Sequence, residues 1–237
     1  MICETILYSH HLRCSFFIKN RKGTVINLNM SIPTLRMTED LIVAILLGDS
    51  FIQNKSGKHE LKFYLPLNKR KILKMYIEKY QLQHLVFIEE MIDEKDTYLV
   101  KDSLVLERII RAWSDGTNII AMDPRLLRNS TYMLWLCLFG TKVNNQVLIK
   151  QNTLTLDTKH TLIYLFEKTM RTSYLRLNAE GHLKVQALDE LLLTSIIENR
   201  PSYESLELHA LLTDHAKKTF LQKQERMNEE MRGYACY

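Results

Sequence analysis

The chain has 237 residues, 46% of them hydrophobic and 25% charged, with a formal net charge of +5. At roughly 150 residues per domain that is one large domain or two small ones, and the composition excludes a mostly disordered chain. No apolar run approaches the roughly 18–20 residues of a membrane helix, so no membrane partner is expected, and Cys3, Cys14, Cys137 and Cys236 lack the paired spacing of a zinc site or a disulfide framework.

Glycine is scarce, with seven residues, under half the usual share of about 7%. The sequence has no GxGxxG, GxxxxGK[ST], GxSxG or HExxH. Dinucleotide-binding, P-loop, serine-hydrolase and zinc-protease readings therefore fall away. The eight histidines show no ligand spacing and read as surface or hairpin residues.

In chain order, residues 1–37 set Arg13, Lys19, Arg21, Lys22 and Arg36 against the single acid Glu4. That is the pattern of a basic N-terminal arm or an organellar targeting segment, here expected to be mitochondrial. Thr38 reads as an N-cap, with Glu39 and Asp40 in the first turn complementing the helix dipole. Residues 41–47 are then apolar on every face, which predicts a helix buried on all sides, stopped by Gly48-Asp49. Residues 51–53 and 60–65 alternate as a hairpin. Asn68 is expected to cap a helix through Tyr80, with Ile72, Leu73, Tyr76 and Ile77 as its apolar stripe. Residues 85–90 and 97–101 read as a second hairpin, and 103–113 as a helix.

The same order then recurs. Thr131 is expected to cap an apolar helix over 132–139, followed by a strand over 146–155, a helix capped by Asp157 and running through Met170, a hairpin over 173–187 and a helix over 188–199. Asp49 and Phe139 occupy matching places 90 positions apart, and Lys69 and Lys159 repeat at the same interval. The expected class is α+β, with two pseudo-symmetric αββαββα halves over residues 38–115 and 130–200, joined by a linker over 116–129. Residues 201–237 read as a helical surface tail.

The segment Leu41-Ile-Val-Ala-Ile-Leu-Leu-Gly-Asp-Ser-Phe-Ile resembles the first motif of the LAGLIDADG homing endonucleases, and most closely that of their organellar branch. Trp135-Leu-Cys-Leu-Phe-Gly stands where that branch carries its second motif. The segments Pro66-Leu-Asn-Lys-Arg and 153–166 are similar to that branch as well, so the resemblance spans about residues 38–200. It implies two motif helices packed against each other, each ending in a carboxylate. Two concave four-stranded sheets would lie across the nucleic acid, with Mg²⁺ held between the carboxylates and the scissile phosphates. Two such ions would generate a hydroxide and stabilise the leaving oxygen.

The chain departs from that pattern at one end of the pair. Asp49 matches the first catalytic carboxylate, but Phe139 stands in place of the second. Asp49 alone would hold Mg²⁺ loosely, because a single carboxylate fixes octahedral geometry poorly. The expected helix seam runs through Ala44 and Gly48 against Leu134 and Leu138, asymmetric because the second pair is bulky. Basic and amide side chains on the hairpins suit phosphate and base contacts: Gln53, Lys55, Lys58 and Lys62 in the first half, Lys142, Lys150, Gln151, Arg176 and Lys184 in the second. Aromatic residues, at 9%, suggest no stacking site.

The expectation is a nuclease-inactive nucleic-acid-binding protein that needs no cofactor to bind. Its expected ligand is structured RNA in preference to DNA, as an intron maturase or beside organellar ribosomal proteins. The alternative is an active endonuclease cutting double-stranded DNA with Mg²⁺, which would need a further acid near Phe139, such as Asp123 or Asp157.

Overall fold

The apolar run at 41–47 is buried on every side, each residue being 1% exposed or less. In the computed structural model all of it but Leu47 closes helix α1, Ile32–Leu46. The described residues are 13–19, 25–92, 95–101, 103–115, 118–143, 146–149, 151, 153–170, 175–186 and eight helical positions between 215 and 226. Of the basic arm, strands β1 (Arg13–Lys19) and β2 (Val25–Ser31) pair as an antiparallel hairpin that leads into α1. The helix expected over 188–199 and most of the 201–237 tail lie outside the described residues.

Helix α1 starts six residues before the expected cap. Pro33 sits in its first turn, where the missing N–H leaves no bond unmade. Thr38 is therefore inside the helix, its hydroxyl donating to the Thr34 carbonyl at 2.9 Å. Glu39 and Asp40 fall mid-helix and take ion-pair partners instead of the helix dipole. The partner helix is α4, Asn129–Phe139, buried from Thr131 through Leu138. Three contacts fix the pair side by side and in the same direction. Asp40 Oδ1 accepts from the Thr131 hydroxyl at 2.6 Å. Trp135 Nε1 donates to the Leu47 carbonyl at 2.7 Å. Gly48 lies against the ring of Phe139. Thr131 thus bonds across the seam rather than capping its own helix.

The N-terminal end of the seam is ionic. Asp40 is 1% exposed, and Arg128 holds it with Nη2–Oδ1 at 2.7 Å while also reaching Glu39 at 3.0 Å. Ser130 adds a hydroxyl at 2.7 Å, and Arg108 caps Glu39 from outside at 2.5 Å. A buried carboxylate is tolerable only with its lone pairs satisfied in this way.

Each half then repeats one topology. β3 (Ser50–Lys55), β4 (Lys58–Pro66), β5 (Val86–Ile92) and β6 (Lys95–Val100) make an antiparallel sheet ordered β3-β4-β6-β5. β7 (Thr141–Val143), β8 (Gln146–Ile149), β9 (Leu175–Leu177) and β10 (Leu183–Val185) make a second, ordered β7-β8-β10-β9. Helix α2 (Leu67–Lys79) links the hairpins of the first half and α5 (Leu156–Met170) those of the second. Helix α3 (Leu104–Trp113) follows the first sheet where the sequence predicts a helix, and Ser103, expected inside it, is its cap. The expected strand over 146–155 is shorter, and β7 pairs beside it.

Two expected caps each move two residues toward the N-terminus. Pro66, not Asn68, precedes α2. Thr155, not Asp157, accepts the Thr158 N–H at the start of α5, at 3.2 Å. The repeat extends to buried lysines: Lys69 and Lys159 are both 9% exposed. Lys159 Nζ donates to the carbonyls of Gln151 and Gly181 at 2.9 and 2.8 Å, and burial pushes the Lys69 ammonium below its ordinary value.

The inner faces of the sheets bury Ile52, Leu61, Phe63 and Val100 in one half and Val147, Ile149, Leu175, Leu183 and Val185 in the other. Asp96 on β6 is fully buried and clasps α2 to the sheet through Arg70, Nη2–Oδ1 2.6 Å, with the Tyr98 hydroxyl at 3.0 Å. Those donors hold the Asp96 carboxyl below the usual carboxylate range, the Arg70 hydrogen bonds being the main cause. Burial and the Asp96 carboxylate push Tyr98 up to about 12.

Candidate nucleic-acid interface

The two motif helices end side by side, and their last residues differ in chemistry. Asp49 is half-buried after α1, and its carbonyl accepts the Tyr64 N–H at 3.3 Å. Among the described residues its carboxylate has no hydrogen-bond partner. At the matching place Phe139 lays its ring on Gly48 and meets Phe63 of β4 edge-on, with centroids 6.5 Å apart. A Cβ at Gly48 would collide with Cδ2, Cε2 and Cζ of that ring. Gly48 does not need a left-handed backbone here; it needs the absence of a side chain. The seam residues Ala44, Leu134 and Leu138 are fully buried, and the asymmetry takes the form of this inserted ring.

The Mg²⁺ pair implied by the resemblance needs oxygen ligands at both helix ends. The residues present do not fit it: one end offers a carboxylate, the other an aromatic ring seated in the first half. Among the described residues no group of three His, Cys, Asp or Glu could hold a metal ion. Asp123 is engaged elsewhere, accepting from Arg125 Nη2 at 2.7 Å. Asp157 stands exposed in the first turn of α5.

The outer sheet faces carry most of the candidate contacts, and register shows which side chains share a face. In the first sheet Phe51 pairs with Lys62, Lys62 with Leu99 and Leu99 with Phe87, a row across all four strands on the face turned from the core. Gln53 and Lys62 lie on this face but are already engaged. Gln53 Nε2 donates to Glu60 at 3.2 Å, and Lys62 Nζ sits 2.7 Å from Glu89. Lys55 and Lys58 are exposed across the hairpin tip, where Ser56 and Gly57 take φ of 55° and 77°. Two successive positive φ values are the type I′ turn that matches strand twist.

In the second sheet Thr141, Leu148, Lys184 and Arg176 form the corresponding row. Arg176 is exposed, Lys184 half-buried and directly opposite it, and Lys142 is exposed on edge strand β7. Lys150 lies outside the described residues. Gln151, expected on the surface, is 1% exposed and both amide atoms lack a partner. Its backbone turns inward because its carbonyl accepts the buried Lys159 ammonium.

Sequence reasoning missed Phe51, Tyr64, Phe87 and Lys101. Phe51 and Tyr64 touch at 6.0 Å between centroids, and Lys101 Nζ lies 4.6 Å above the Phe87 ring. The available signal was alternation: Phe51, Gln53 and Lys55 share one parity, and so do Glu60, Lys62 and Tyr64.

No protein-family model and no curated protein sequence matches the chain. Solved structures do. The homing endonuclease I-WcaI bound to its DNA recognition sequence superposes with a TM-score of 0.50 at 12% identity, covering 78% of this chain and 86% of that one. This chain has the LAGLIDADG homing-endonuclease fold. A double mutant of I-SmaMI matches at a TM-score of 0.43 and 8% identity over 83% of this chain and 95% of that one. I-SmaMI bound to uncleaved DNA target in the presence of calcium ions matches at 0.40 and 10%, over 80% and 98%. In the homing-endonuclease fold of this chain, α1 and α4 are the paired helices and the two four-stranded sheets are the paired outer faces.

Proposed function

We propose that this protein binds nucleic acid across the outer faces of its two sheets and does not cut it. The observation that carries the reading is the Phe139 ring seated on Gly48, at the place the resemblance assigns to the second carboxylate. In-line phosphodiester displacement needs charge neutralised at both the attacking and the leaving oxygen, and one carboxylate cannot organise both ions. Binding does not share that requirement. Lys55, Arg176 and Lys184 lie on the outer faces or a hairpin tip, whereas Lys142, opposite the buried Val147, has the core-side parity of edge strand β7, and a DNA complex is known for I-WcaI, whose fold this chain shares. The ligand we favour is structured RNA in an organelle, with the protein acting as an intron maturase or alongside ribosomal proteins.

The test combines cleavage and capture. With Mg²⁺ present, the purified protein leaves a randomised duplex DNA library uncut, and Asp49→Asn leaves nucleic-acid affinity within about twofold. Crosslinking in the native extract followed by sequencing recovers one RNA. Site-specific cuts that vanish in Asp49→Asn would restore the endonuclease reading, and recovery of duplex DNA alone would overturn the RNA preference.

A further inference from the structure

The outer face of the first sheet differs in kind from that of the second. Its polar groups are largely engaged with each other, through Gln53 with Glu60 and Lys62 with Glu89. Its rings keep part of their surface open: Phe51 is 37% and Phe87 38% exposed. Leu99 lies between them in the same row, buried at 8% yet outside the main core cluster. Tyr64 extends the surface beside Phe51. The second sheet shows the reverse, with Lys184 and Arg176 directly opposite and no ring in their row. Like charges across a strand pair repel, so an anion between them relieves the pair.

We infer that the first sheet is a stacking platform for unpaired bases, with Phe51 and Phe87 as its two rings, while Arg176 and Lys184 on the second sheet hold the backbone phosphates. The inference rests on the nucleic-acid-binding reading and specifies the form of the ligand.

Three physical arguments select unpaired bases over a duplex. Base pairs in a duplex present edges in grooves, which are read by free polar side chains, and on this face Gln53 and Lys62 are committed to carboxylates. Unstacked bases present faces, and aromatic rings standing on a β-sheet are a recurrent surface for them. Phe51 and Phe87 also lie three strand spacings apart, about 14 Å at the ~4.8 Å interstrand distance, so one strand crossing the sheet meets both. Lys101 supplies the matching charge. Its ammonium rests over the Phe87 ring, a contact that is weak at an accessible site, and an arriving base displaces it toward the adjoining phosphate. RNA and DNA share the base chemistry, and the 2′-hydroxyl distinguishes them.

The test uses the full chain and four probes of one mixed sequence: unstructured RNA, single-stranded DNA, and the corresponding RNA and DNA duplexes. The paired substitution Phe51→Ala with Phe87→Ala is expected to weaken binding of the single strands at least tenfold, from stacking worth about five-fold to a hundred-fold per ring, and to leave the duplexes unchanged. Phe51→Tyr with Phe87→Tyr, which keeps both ring faces, is expected to retain the affinity. Fluorescence of 2-aminopurine placed in the strand is expected to be quenched by the native chain and not by the alanine pair. RNA bound more tightly than DNA of the same sequence assigns the ligand to RNA, and equal affinity assigns it to unpaired bases of either sugar. Binding that ignores the rings but falls with Arg176→Ala and Lys184→Ala overturns the platform and leaves the nucleic-acid reading standing. Binding of none of the four probes at low salt overturns both. Self-association that the alanine pair abolishes, with no ring-dependent binding of strands, assigns the face to a second copy and also overturns the platform.

Discussion

Replacing Gly48 by Ala places one methyl group where the Phe139 ring edge now lies, with Cδ2, Cε2 and Cζ all inside contact distance of the new atom. Phe63 bounds the ring on the sheet side, so the ring must shift against it to admit the methyl. Overpacking of this kind costs about 1–3 kcal/mol. For a chain of this length each kcal/mol lowers Tm by about 2–4 °C, so Gly48→Ala is expected to melt roughly 2–12 °C below the native chain. Phe139→Ala alone opens a cavity and costs about 2–3 kcal/mol, below the 3–5 of a fully buried Phe because Phe139 is only partly buried. The double variant is the discriminating measurement. Once the ring is gone the new methyl has room, so the two losses should not add, and the coupling should reach about 1 kcal/mol or more. Urea and thermal unfolding of the four proteins supply the cycle. Additive losses, or an unchanged Tm for Gly48→Ala, would refute the insertion of Phe139 at the seam.

Arg128→Ala leaves Asp40 buried with only the hydroxyls of Ser130 and Thr131 to satisfy it, and urea unfolding is expected to show a loss of about 3 kcal/mol. Asp96 has a depressed pKa in the folded chain, so its stabilisation is full above the unfolded value of about 3.9 and fades as pH falls through the folded one. Acid titration of Tm should therefore show a loss below about pH 4, and Asp96→Asn should lower stability near neutrality while flattening that limb. Arg176→Ala with Lys184→Ala is expected to reduce the salt slope for single strands by about 1.4, two phosphate contacts at ~0.7 each; an unchanged slope would place both side chains away from phosphate.

Both paired helices were legible in the sequence because their signal is local. A run apolar on every face marks a buried segment, the resemblance to a motif helix marks it as helical, and it recurs 90 positions later, with hairpins and a second helix following each time. The resemblance, not the periodicity, read Asp49 and Phe139 as the unequal ends of the pair. Sequence reasoning misplaced the cap at Thr38, because a Thr followed by two acids reads the same whether a helix starts there or continues. Asp40 sits mid-helix because Arg128, 88 residues on, is folded against it.

Which side chains share a surface was decided by tertiary structure alone. Phe51, Leu99 and Phe87 are scattered in sequence and form one row only through the pairing of four strands. Gln151 and Lys62 look alike as polar strand residues, yet one is sealed beside a buried lysine and the other is paired on an open face. The resemblance implies that the helix ends meet, but not that the Phe139 ring fills the space over Gly48. Local periodicity is set by backbone geometry within a few residues, whereas burial, ion pairing and ring contacts depend on which distant segment supplies the other surface.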